Sequence, residues 1–158
     1  MDAQTAIRNI LATGEMIGMA YLGDLADAEM MQRPHAQCNH LNWQVGHLIV
    51  SENSLVGMAW PMPSLPEGFK EKYAKENAAS DDPTKFATKD ELMAAYKTQR
   101  EATLEVLSKV TAEELDKPTE VDYAPTRGQL ISLNGEHWLM HAGQWVIVRR
   151  QNNKPVLI

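Results

Sequence analysis

Residues 125–151 read PTRGQLISLNGEHWLMHAGQWVIVRRQ, and this stretch decides the fold class. Leu130, Leu133, Leu139, Val146 and Ile147 recur at helical spacing among polar residues until about Gln151. Within the same segment His137 and His141 stand four apart, so both project from one face and two imidazoles can converge on a single ion. Five histidines occur, at 35, 40, 47, 137 and 141. With that many, a pair at this separation arises by accident roughly one time in eight, so the pair needs context from the rest of the chain.

Three further long helices are predicted upstream. From about Ala3, Ile7, Ile10, Leu11, Ile17, Tyr21 and Leu22 follow helical period, with Asp2 placed to cap the segment and Gly23 to stop it. Asp24 to Cys38 contains acidic turn residues and Pro34, and reads as a connection with one short helical turn. A second long helix opens at Asn39 or His40 and carries Leu41, Val45, Leu48, Ile49, Leu55, Val56 and Ala59 until Pro61 and Pro63 break it. Between Trp60 and Ala87 lie four of the eight prolines, a charged patch at Lys70 to Lys75 and Asp81-Asp82-Pro83, the marks of a long surface crossover with at most one short helix. Thr88 and Glu91 form a capping box for a third helix through Leu92, Tyr96, Leu104, Leu107 and Val110. Thr111 with Glu114 repeats the signature, but Pro118 allows only a brief turn. The expectation is an all-α four-helix bundle with a long crossover connection between helices 2 and 3, in one domain over residues 1–158. No internal repeat or low-complexity tract interrupts it.

Composition agrees and excludes several functions. At 158 residues the chain can bury a core of its own, and its nine methionines with only 6% aromatics lean helical. A formal charge of −6, with no basic cluster beyond Arg149-Arg150, opposes binding to a phosphate backbone, so no nucleic-acid partner is expected. Cys38 is the only cysteine, which rules out an intramolecular disulfide and fits a reducing compartment. The N-terminus lacks the basic and apolar regions of a signal peptide, and the best apolar stretch, Met16 to Leu22, is far short of the roughly 20 residues a membrane helix needs. A cytoplasmic protein with no membrane association is expected.

His47 supplies the context for the helical pair. It stands in an otherwise apolar helix, followed by Leu48, Ile49 and Val50, where an unpaired imidazole would be costly to bury. One reading is a core histidine hydrogen-bonded to a carbonyl. The other joins two helices: if the crossover brings the second helix beside the fourth, His47, His137 and His141 offer three neutral nitrogen donors and leave a coordination position open. A ferritin-like di-iron site is excluded, because the positions three before the histidines are Gln32, Gln37, Gln44, Asn134 and Trp138 rather than Glu. A zincin protease is excluded as well, since Trp138 follows His137 where that motif has Glu, although Glu136 precedes it.

The blocks Asn42-Trp43-Gln44-Val45-Gly46-His47-Leu48 and His137-Trp138-Leu139-Met140-His141-Ala142-Gly143-Gln144, followed by Arg149 and Pro155, resemble the DinB/YfiT superfamily over nearly the whole chain. The resemblance implies a four-helix bundle, often a homodimer, holding one divalent metal on His47, His137 and His141. It also implies that some relatives are transferases that use a low-molecular-weight thiol. It predicts the site better than the reaction.

Around those residues, Asn134 and Gln144 lie three before His137 and three after His141, and Gln44 and Ser51 bracket His47, so each can orient a ligand, contact substrate or merely be solvated. His40 is read as a cap or surface residue, with the pocket mouth as the other option. Cys38 with His35 and His40 suggests a second metal cluster on what reads as a loop lacking a fourth donor. Trp43, Trp138 and Trp145 are read as core and dimer packing. Three neutral imidazoles would leave a zinc or nickel ion, or alternatively iron or copper, with its full charge to activate a thiol or water against a small-molecule substrate. No catalytic acid or base can be named. The competing expectations are a non-catalytic metal or small-ligand binding dimer and a bundle with purely structural histidines.

Overall fold

The computed structural model describes residues 1–156; the last two residues of the 1–158 domain reading lie outside the described part. Asp2 accepts from the Thr5 N–H and opens α1 (Ala3–Leu22), which Gly23 closes. A single turn, α2 (Asp27–Met30), interrupts the connection to α3 (Leu41–Gly57). His40 caps α3, its Nδ1 accepting from the Trp43 N–H at 3.0 Å. The helix ends at Gly57 rather than running on to Ala59, because the Met58 and Ala59 N–H groups tighten to carbonyls three residues back ahead of Pro61.

The crossover holds more local structure than the one short helix expected. Gly68, at φ 70°, starts α4 (Phe69–Lys72), and 3-10 turns follow at Lys75–Asn77 and Pro83–Lys85. The Thr88/Glu91 box opens α5 (Lys89–Lys109), Thr111 caps α6 (Ala112–Asp116), and a Thr126/Gln129 box opens α7 (Arg127–Gln151). Among the described residues there is no strand, only an isolated bridge between Pro118 and Thr126.

The four long helices close a ring in the order α1, α7, α3, α5. Contacts along each seam give the directions. Gly14 meets Gly135 and the Tyr21 carbonyl meets Arg149, so α1 and α7 run parallel. Asn42 meets Ala87 and Asn53 meets Gln99, so α3 and α5 are parallel too. Parallel neighbours cannot be joined by a tight turn, which is why residues 58–88 must travel back along the bundle. The sequence-based expectation of a four-helix bundle with a long second connection therefore holds.

Trp138 and Trp145 are fully enclosed in the core and meet edge to face, with centroids 5.6 Å apart. Enclosed in this way, they offer no surface to a dimer. Among the described residues one ion pair has both side chains buried: Arg100 donates to Glu52 at 2.8 Å, between α5 and α3. Among the described residues no helix is long and apolar enough to cross a membrane.

Candidate metal centre

The antiparallel seam between α3 and α7 sets the site. His47 comes from the second turn of α3, while His137 and His141 occupy successive turns of α7, and one ring nitrogen from each lies within 4.8 Å of the other two. His137 Nε2 and His141 Nε2 are 3.2 Å apart. Two nitrogens on one tetrahedral zinc, each about 2.0–2.1 Å from the ion, sit roughly 3.3 Å apart, so this spacing suits a shared ion.

Gln44 fixes the orientation of His141. The Trp145 indole can only donate, so the Gln44 atom it meets at 2.9 Å is the amide oxygen. That oxygen also lies 2.9 Å from His141 Nδ1, so the imidazole must donate there and carry its proton on Nδ1. The His141 Nε2 lone pair is left facing His137. The Gln44 amide nitrogen donates to the Asn39 carbonyl at 2.7 Å and to Gln144 Oε1 at 3.2 Å, which locks the amide against flipping. Such outer hydrogen bonds set the tautomer and basicity of imidazole ligands.

Burial keeps the cluster uncharged. It lowers the pKa of His47, and together with the neighbouring imidazoles it pushes His137 down to about 4 and His141 down to about 3. All three are therefore neutral donors at physiological pH, the form a metal requires.

The α3 side of the site is braced from the crossover. Trp43 stacks on His47, centroids 5.0 Å apart and planes within 5°, and its indole donates to the Ala74 carbonyl at 3.2 Å. The Tyr73 ring packs directly onto Gly46, where any Cβ would overlap it, while its hydroxyl donates to Asn42 and accepts from the Ala87 N–H, both at 3.0 Å.

Among the sequence-predicted residues, the structure gathers His47, His137, His141, Gln44 and Gln144 at one place. Asn134 is buried and turns back on its own helix, donating to the Leu130 carbonyl at 2.8 Å. His40 is fully buried at the α3 cap, edge-on to Phe86. Among the described residues His47, His137 and His141 form the one group of three metal-ligating side chains, so Cys38, His35 and His40 do not assemble a second. Sequence reasoning missed the Trp145–Gln44–His141 chain and the seat of Tyr73 on Gly46. A clue to the first was the i, i+4 spacing of His141 and Trp145; the partner 97 residues away left no local trace.

Fold and site define a four-helix bundle with an imidazole-only cluster between its second and fourth long helices. The profile described as DinB superfamily matches residues 15–145, and the chain belongs to that superfamily. A crystal structure of a conserved protein from Enterococcus faecalis is similar at a TM-score of 0.70 and 16% identity, covering 95% of this chain and 96% of that one. At that identity the likeness concerns the fold alone. No curated protein matches the chain.

Proposed function

We propose that the chain is a metal-dependent enzyme that holds one divalent transition ion on His47, His137 and His141 and acts on a small molecule, as a thiol-dependent transferase or a hydrolase. The observation that carries this reading is the convergence of three neutral imidazoles with one tautomer fixed from behind by Gln44. The reading of core histidines bonded to backbone carbonyls finds no such bond among the described residues, where the ring contacts run instead from His141 to Gln44 and to His137. Bound there, a zinc or nickel ion would supply Lewis acidity toward a thiol, a water or a substrate oxygen. Gln144, half-buried and accepting from the Gln44 amide at 3.2 Å, would help to orient a substrate. A cytoplasmic homodimer with a low-molecular-weight thiol as co-substrate completes the proposal.

The test is elemental analysis of the purified wild type beside the His137→Ala/His141→Ala variant. The expected result is about one equivalent of transition metal in the wild type, lost in the variant, with the bundle still folded. A wild type that takes up no metal, even after incubation with zinc or nickel, would sink the proposal. Product formed only when metal and a thiol are both present would separate an enzyme from a binding protein.

A further inference from the structure

A cleft of about 530 Å³ opens against His47 and Trp43, between the segment after α2 and the part of the crossover that follows α4. That volume suits a small molecule. In a chain of net charge −6 no carboxylate among the described residues lines the cleft; its charged residues are Arg33 and Lys75.

The two cations differ in their engagements. Arg33 donates through Nε to Asp81 at 2.8 Å, through one terminal nitrogen to the Cys38 carbonyl at 2.8 Å, and through the other to the Ala78 carbonyl at 3.2 Å. Its charge is offset by Asp81, and its hydrogen bonds tie the two walls together. Lys75 is exposed and, among the described residues, pairs with no carboxylate. The wall from which it projects is pinned, since the preceding carbonyl, of Ala74, holds the Trp43 indole that stacks on His47.

We propose that this cleft is the entrance to the metal centre and selects small molecules bearing a carboxylate, with Lys75 as the specificity-determining counter-charge at its rim. The inference rests on the three-histidine metal reading. An ion on three uncharged ligands keeps both its charges, and a cleft without carboxylates focuses that field, and the Lys75 charge with it, on an incoming anion. A cationic molecule of the same size is repelled by the same arrangement.

The experiment loads the protein with cobalt and follows the thiolate-to-cobalt absorption as mercaptopropionate, mercaptoethanol and cysteamine are titrated in, with affinities referred to the thiolate concentration. The three differ in charge at similar size. Affinity is expected to fall in that order. Lys75→Ala should weaken mercaptopropionate roughly two- to fivefold relative to mercaptoethanol, and Lys75→Glu should weaken it further. The preference should shrink as salt rises. Because Lys75 is exposed, neither substitution threatens the fold. Cobalt bound but with equal affinity for the three thiols, an order unchanged in Lys75→Glu, or a spectrum that none of the thiols alters would overturn the selectivity and leave the metal centre standing. No cobalt bound would overturn both.

Discussion

The amide oxygen of Gln44 accepts from Trp145 and His141 together, so one neutral side chain on α3 fixes both an indole in the core and a proposed ligand on α7. Gln44→Ala should lower metal affinity about 10- to 100-fold by releasing the His141 ring. It should also cost about 1–3 kcal/mol of stability by orphaning the buried Trp145 N–H. A competition titration and a urea melt measure the two effects separately. The histidines make a pH prediction as well. With folded-state pKa values of about 4 for His137 and about 3 for His141, against 6.5 when unfolded, the unfolded chain binds more protons between those limits. The contribution of these two histidines to the stability of the metal-free protein is then complete above about pH 6.5 and is lost as pH falls toward 3. His137→Gln/His141→Gln should flatten that slope in urea midpoints taken under chelator. At this scale the histidines were legible because helical spacing and the family resemblance both point to them. Gln44 was legible as a neighbour of His47, but its hold on His141 and Trp145 was not, because that depends on the register between two helices about a hundred residues apart in the chain.

Among the long helices, glycine marks where backbones meet. A Cβ on Gly14 would stand 2.5 Å from the Gly135 carbonyl oxygen, and one on Gly135 would stand 2.6 Å from that of Ile10. Backbone cannot rotate aside as a side chain can, so Gly14→Ala must push α1 off α7 and should destabilise by about 1–3 kcal/mol. Gly143, on the exposed face of α7, has open space around it. Gly143→Ala should stabilise by about 0.5–1 kcal/mol through helix propensity. Thermal melts of the two variants should move in opposite directions; a Gly143→Ala melt that drops would mean the exposed face is occupied in solution. Helix starts were legible at Asp2, Thr88, Thr111 and Thr126, where a side-chain oxygen meets the orphan N–H groups of the first turn. The end of α3 was less so, since proline announces a stop without saying how many residues earlier the helix tightens. The ring order and the parallel seams had no local signature at all, because they arise from which apolar faces meet.

Across the whole molecule the sharpest polar commitment is the Glu52–Arg100 pair, whose side chains are 0% and 3% exposed. Burial raises the Glu52 pKa and the Arg100 guanidinium opposes the rise without cancelling it. Arg100→Met should cost about 3–5 kcal/mol by stranding the carboxylate, and Glu52→Leu/Arg100→Met should recover most of that. A double variant no more stable than Arg100→Met alone in chemical denaturation would contradict this account. Charge in the core was invisible beforehand, because Glu52 and Arg100 lie in sequence contexts that also suit a solvated face. The parallel run of α1 beside α7 has a mechanical consequence. The chain enters α1 at one end of the bundle and leaves α7 at the other, so tension applied through residues near the two termini draws these helices past each other along their whole shared length. Such loading spreads force over many contacts at once instead of peeling them in turn, and the seam that includes the Gly14–Gly135 contact is the one that would bear it.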